Sequence, residues 1–384
     1  MRVPLAWCNL VHNKLRTLVA SSGVAFAVIL VFMQLGFLGA VETTAMLIYE
    51  ALDFDLVVRS PMYLHLAEPR SFPRNRLHMA EACPGVQQAI PFHCEISQWQ
   101  NPYTRRIRGI LVMGVAPETP AFTIPEIREK ARLLTVPEYV LIDRKCRSEF
   151  GPSNGQQFSD KDIGVMAEVG RQRVRIAGHY SLGAGLASDG SLISSEVGFQ
   201  RLLPGRSHDE VSLGLVKLVP GVNPQTAAEC LRKRLPADVE VLTRAEVVEF
   251  ERNRWINETS IGLIFSLGVF VAVVVGTAIA YQVLSTDVTK HLPEFATLKA
   301  MGYTPGYLSA VVLKQALALA VLGFIPGAIL SEVLYQITTA TVNIPIEMTQ
   351  LNFTMVLGLT VGMCAISGLA ALRKALLADP ADLF

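Results

Sequence analysis

Ser285-Thr-Asp-Val-Thr-Lys-His-Leu-Pro-Glu-Phe-Ala-Thr-Leu-Lys-Ala-Met-Gly-Tyr-Thr-Pro305 lies between two long apolar runs. Within it Leu292, Phe295, Leu298 and Met301 recur every three residues, the spacing of a short amphipathic helix. Gly302 stands where a left-handed helix stop is wanted, and Pro305 keeps the helix from resuming at once. A ten-residue helix spans about 15 Å. That is long enough to lie in a groove of a partner protein and too short to cross a bilayer.

Outward from this segment, charge disappears. Thr17 to Val41, Thr259 to Thr286 and Thr349 to Leu372 contain no charged residue, and Gln315 to Ser331 is a shorter uncharged run. Each reaches or approaches the roughly 20 residues that span a hydrocarbon core. With 51% apolar residues and a mean hydropathy of +0.37, the chain of 384 residues is expected to cross a membrane four times. The expected fold class is an α+β membrane protein: four transmembrane helices with a large periplasmic α+β domain between the first and second. The expected divisions are 1–16, an amphipathic elbow; 17–41, the first span; 42–255, the outer domain; and 256–284, the second span. Then come 285–305, the coupling segment; 306–336, the third span; 337–350, a short loop; 351–372, the fourth span; and 373–384, a tail.

Orientation follows from Lys and Arg. Lys14 and Arg16 precede the first span, Lys290 and Lys299 lie between the second and third, Arg373 and Lys374 follow the fourth, and 337–350 has neither. Both termini and 285–305 are therefore expected in the cytosol, with 42–255 outside. Leu38-Gly39-Ala40 faintly resembles a signal-peptide cleavage site, but the uncharged run before it is about twice the usual length, which favours a retained span. A formal net charge of +1 gives no hint of a nucleic-acid partner.

In Pro4 to Arg16, Trp7, Leu10, Val11 and Leu15 share one helical face, as in a helix lying along the inner membrane surface. Glu42 to Leu52 and Arg244 to Trp255 keep helical periodicity beyond the first and second spans, with Val247, Val248, Glu251 and Trp255 on one side of the latter. No Gly or Pro interrupts either, so a stiff paired stalk is expected. Strands near 55–59, 86–99, 107–115, 211–219 and 238–242, with helices at 74–83 and after Asn223-Pro224, predict a split βαβ, porter-like unit assembled from both flanks of the outer domain. About 121–204 is expected to be a mostly β insert.

Gly268, Ala272, Gly276 and Ala280 put four small residues on one stripe of the second span, suited to close helix packing or dimerisation. Gln34 in the first span is expected to make an interhelical hydrogen bond or to line a path. Cys83, Cys94, Cys146 and Cys230 fall in the outer domain, where spacing alone cannot pair them.

Catalytic signatures are missing. No Gly is followed by Lys, which excludes a phosphate-cradling Gly-x-x-x-x-Gly-Lys-Ser/Thr loop, and there is no His-Glu-x-x-His or Gly-x-Ser-x-Gly. His78, Cys83, His93 and Cys94 lack metal-ligand spacing. Arg105, Arg106 and Arg108 read as a solvated turn or as a contact for a partner or headgroup. No row of acids or histidines crosses the spans, which argues against a proton-driven transporter. No cofactor or metal is expected.

Glu294-Phe295-Ala296-Thr297-Leu298-Lys299-Ala300-Met301-Gly302 resembles the Glu-hydrophobic-x-x-Leu-Arg/Lys-Ala-hydrophobic-Gly coupling helix of the MacB/FtsX superfamily of ABC-transporter permeases, as does the closing Ala378-Asp379-Pro380-Ala381. Leu5-Ala6-Trp7, the run Ala25 to Phe37, Ser71-Phe72-Pro73-Arg74, Asp143-Arg144, Phe150-Gly151-Pro152 and Ser188-Asp189-Gly190 resemble its DevC-type exporters. His291-Leu292-Pro293 replaces the arginine common before the glutamate. The resemblance implies a non-catalytic permease working as a homodimer, with ATP hydrolysed on a separate cytosolic ABC ATPase. An HlyD-like membrane-fusion protein and a TolC-like outer-membrane channel would be further partners. It implies mechanotransmission, with glycolipid or other lipid-like or hydrophobic cargo, and an ATPase contact made by Leu292, Glu294, Phe295, Leu298, Lys299, Met301 and Gly302. Two other readings of the superfamily are an FtsX-like regulator of a periplasmic hydrolase and a lipoprotein-extracting permease.

Overall fold

The computed structural model describes residues 14–119, 121–152, 156–186, 188–294, 297, 301–342 and 346–377. The elbow expected at 1–16 therefore lies almost wholly outside the described residues, as does the tail from 378. The chain divides into two compact units, one of Met1–Ala40 with Thr259–Phe384, the other of Val41–Glu258.

In the second unit, α1 (Lys14–Ala51) ends and β1 (Leu56–Arg59) begins. There follow β2 (Phe72–Pro73), α2 (Asn75–Glu81), β3 (Val86–Gln100), β4 (Ile107–Val115), α3 (Pro125–Lys130), β5 (Tyr139–Asp143), β6 (Met166–Val169) and β7 (Gln172–Tyr180). Then come β8 (Ser191–Ser195), α4 (Glu196–Leu202), β9 (Glu210–Val211), β10 (Leu213–Leu218), α5 (Pro224–Arg234), β11 (Glu240–Thr243) and α6 (Arg244–Asn253). The strand order β11-β1-β10-β3, antiparallel throughout, with α2 and α5 as the crossovers, is the split βαβ arrangement. Its helices form where local chemistry asks for them. The Asn223 side chain caps α5 with Pro224 at the first position, and Thr243 and Glu246 form a reciprocal capping box on α6. Leu77, Ala80, Ala227, Ala228 and Leu231 pack the helical face of the sheet.

The insert does not begin at 121. The far half of β3 leaves the open sheet and pairs with β4; the order continues β4-β8-β5-β7-β6, and β6 returns to β3 through Trp99↔Val169. A closed six-stranded barrel results. At 15 residues β3 is about 50 Å long, enough to serve both sheets, so the boundary falls inside a single strand. Trp99 is fully buried at the closure, and its Nε1–H donates to the Phe150 carbonyl at 3.1 Å. Asn101, also buried, donates to the Glu149 and Gly151 carbonyls and accepts from the Tyr103 and Thr104 amides. Asp143 accepts the amides of Lys145, Leu182 and Gly183. These bonds tie one end of the barrel together.

The first unit holds α1 up to Ala40, α7 (Ser260–Lys290), α8 (Pro305–Val342) and α9 (Gln350–Leu377). All four helices are long and apolar enough to cross a membrane. At 38 residues α1 is about 57 Å long, well beyond a hydrocarbon core of about 30 Å, and it runs unbroken through Leu38-Gly39-Ala40. The helix α8 extends to Val342, past the expected end at 336.

The expectation of an uninterrupted second stalk helix is wrong. After α6 the backbone makes a π-helical turn, Arg254–Glu258, and Thr259 is extended (φ −97°, ψ 156°) before α7 begins. Polar side chains bond one another across this turn. Asn257 donates to Asn253 Oδ1 at 2.6 Å, and Asn253 donates to Glu258 at 3.1 Å.

Candidate functional site

Between α7 and α8 the described residues outline a short helical piece. Residues 292–294 and 297 are helical, and the Met301 amide donates to the Thr297 carbonyl at 3.0 Å, closing a last turn. Gly302 then adopts φ +91°, the left-handed stop that glycine takes without strain. Leu292 is half-buried and Glu294 exposed, with its Oε2 3.1 Å from His291 Nδ1. Phe295, Leu298 and Lys299 lie outside the described residues. Met301 is 62% exposed and Tyr303 45%, with the Tyr303 and Tyr307 rings 4.9 Å apart. Large apolar side chains left in the open beside a helix stop are suited to a protein contact.

The four small residues of α7 and Gln34 meet neighbours inside the same chain. A Cβ at Gly268 would stand 2.6 Å from Gln34 Nε2, and one at Gly276 would stand 2.7 Å from both Ala27 Cβ and Met363 Sδ. Ala272 and Ala280 are buried. The opposite flank of α7, with Leu263, Ile264, Phe270 and Val271, is exposed. Further close approaches pin α8 to α1: Gly323 on Val24, Gly327 on Val28, and the Tyr335 hydroxyl donating to the Phe32 carbonyl. Ser367 Oγ donates to the Thr277 carbonyl at 2.8 Å, joining α9 to α7. The small residues set how closely the backbones approach, and the hydrogen bonds fix register.

Part of the chain, including this segment, matches a known family in sequence. Residues 266–380 match the FtsX-like permease C-terminal family. The matched stretch contains most of α7, the piece between α7 and α8, and the helices α8 and α9. No curated protein matches the chain. Among solved structures, the periplasmic region of MacB from Actinobacillus actinomycetemcomitans aligns over 54% of this chain and 96% of that one, at 10% identity and a TM-score of 0.37. The extracellular domain of the noncanonic ABC-type transporter YknZ from Gram-positive bacteria aligns over 50% and 99%, at 15% identity and a TM-score of 0.33. Both likenesses are too low to establish a shared fold.

The second unit holds a buried charge cluster. Arg59, at the end of β1, is 1% exposed; its guanidinium lies between the rings of Tyr63 (4.4 Å) and Phe250 (3.8 Å), and its Nε donates to Glu240 at 2.6 Å. Glu251 of α6, also buried, accepts from the Tyr63 hydroxyl at 2.8 Å and from Trp255 Nε1 at 3.2 Å, while Tyr63 meets the Tyr49 hydroxyl at 2.7 Å. Burial pushes the Glu251 carboxyl above the usual range, against these hydrogen bonds and the pull of Arg59. The cluster ties α1, β1 and α6 together at the π-helical turn. Its one sequence signal is an acid among the apolar positions of α6. Arg59 leaves no such trace, since a charged residue ending a strand reads as solvated.

Elsewhere Arg74 and His93 both bond Glu196, joining the split βαβ sheet to the barrel. Among the described residues no group of His, Cys, Asp or Glu is placed to hold a metal ion.

Proposed function

We propose that this protein is the transmembrane permease subunit of a tripartite ABC exporter, coupling ATP hydrolysis on a separate cytosolic ATPase to movement of a periplasmic domain. The observation that carries this reading is the Gly302-terminated segment with its exposed Met301, set between two spanning helices inside the stretch that matches the FtsX-like family. A short helix ending in an exposed apolar side chain suits a groove on a partner, as a helix-in-groove contact requires. In this reading Leu292, Phe295, Leu298 and Met301 enter the groove, Glu294 and Lys299 fix the orientation by charge, and Gly302 sets the exit angle. Two copies of the chain meet through lipid-facing helix surfaces such as the open flank of α7, because the small-residue stripe is taken up within one chain. The outer domain meets an HlyD-like fusion protein that leads to a TolC-like channel. Both termini are cytosolic. The cargo is lipid-like or hydrophobic, and it moves by mechanical work of the outer domain rather than through a pore among the four helices.

The test is Leu298→Asp in the permease co-purified with its ATPase. Stimulation of ATP hydrolysis is expected to vanish while the protein still inserts in the membrane. Normal coupled transport by this variant overturns the docking assignment.

A further inference from the structure

We propose that Cys83 and Cys230 are a redox pair whose disulfide staples α2 to α5. Cys83 sits just past α2, buried among Leu77, Ala80, Ala227 and Leu231. Cys230 lies half-exposed on the adjoining face of α5, one turn before Arg234. Arg234 Nη1 donates to the Ala82 carbonyl at 3.3 Å, which brings this turn of α5 against the chain at Cys83. The Cys83 thiol, which donates to the Met79 carbonyl at 3.8 Å, has the Arg234 and Cys230 side chains near enough to shift its titration. The other thiols of this domain are placed differently. Cys94 lies in the core between the sheet and α1, and Cys146 in the barrel core; both are buried and neither adjoins a second cysteine there.

The chemistry balances with a disulfide oxidant, either a small-molecule disulfide or a protein disulfide carrier. Cys230, the more accessible sulfur, attacks the oxidant as the thiolate; the oxidant S–S bond breaks, a mixed disulfide forms, and one thiol leaves. Cys83 then attacks the Cys230 sulfur, releasing the second thiol. Two protons and two electrons pass from the protein to the oxidant. Burial pushes the Cys83 thiol up, and the Arg234 guanidinium pulls it back toward the reactive thiolate at the step that needs it. The bond would close a loop containing the whole barrel, so opening α2 from α5 would no longer be a local event. In a cell the pair stays oxidised only where this domain faces an oxidising compartment. Oxidation of the purified protein does not depend on sidedness, which separates this proposal from the orientation assumed for the permease.

The experiment oxidises the detergent-purified, reduced full-length protein with oxidised glutathione, then denatures it and counts free thiols with a maleimide–polyethylene glycol tag. Of the six thiols, two are expected to be lost together, with a linked peptide containing Cys83 and Cys230 in the mass spectrum. Cys94→Ser and Cys146→Ser should each still lose that pair, while Cys230→Ser, at a half-exposed position, should not form the linked peptide. Six free thiols after oxidation, or a linked peptide joining other cysteines, overturns the proposal.

Discussion

The Tyr63 hydroxyl donates to Glu251 Oε1 at 2.8 Å, a hydrogen bond between a loop after β1 and the helix that leads toward the second span. Glu251→Ala removes the buried acceptor of Tyr63 and Trp255, while Arg59 keeps its ion pair with Glu240, and is expected to cost about 3 kcal/mol. Glu251→Gln keeps an acceptor and should cost about 1 kcal/mol. Because burial raises the folded-state pKa of Glu251, the folded protein holds that proton more tightly than the unfolded chain. Its contribution is fully present below the ordinary glutamate range and is lost as pH rises through the raised value. Thermal unfolding of the full-length protein across pH should show this downward slope in wild type and its absence in Glu251→Gln.

Glu196 carries the opposite sign. Burial pushes its carboxyl up, but hydrogen bonds and charge from His93 and Arg74 outweigh this and hold it at about 2. The stability it contributes is present above the ordinary glutamate pKa and fades as pH falls toward that lowered value. Glu196→Gln should destabilise by about 1–3 kcal/mol at neutral pH and flatten the acid limb of the unfolding curve. An acid limb unchanged by the substitution would show that Glu196 is not what joins sheet and barrel.

Two glycines of the spanning helices should respond in opposite ways. Gly276 faces Ala27 and Met363 with no space for a side chain, so Gly276→Leu is expected to cost about 1–3 kcal/mol through forced separation of the helices. Gly362 has nothing within 4 Å of a built Cβ, and Gly362→Ala should be neutral or stabilise by up to about 1 kcal/mol. Thermostability of the two variants in detergent tests the contrast.

Gly302 at φ +91° has no strain-free substitute. Gly302→Val should cost about 1–2 kcal/mol locally and, in the proposed docking role, lower ATPase stimulation without changing the amount of protein in the membrane. Immunoblots of the membrane fraction beside ATPase assays distinguish this from misinsertion.

The membrane plan was legible because charge-free runs of 20 residues or more have few other uses, and a bilayer penalises any exception. The split βαβ strands were legible because Asn223-Pro224 and the alternating strands act locally. The barrel boundary was not, since a strand shared by two sheets has no mark at the point where its partner changes. The π-helical turn at 254–258 was missed because the search for breakers stopped at Gly and Pro, and this stretch carries neither.

By itself the sequence determined the four spanning helices, the apolar periodicity and glycine stop of the segment between the second and third, and the presence of an α+β domain between the first and second. These depend on hydrophobic content and on residues within one turn of each other. Only the tertiary structure decided that the small-residue stripe of α7 faces helices of its own chain, that Arg59 and Glu251 share a buried cluster, and that Arg234 of α5 reaches the Ala82 carbonyl beside Cys83. Each of these joins residues far apart in the chain, and contact across such distances is set by packing, which leaves no periodic trace in either partner alone.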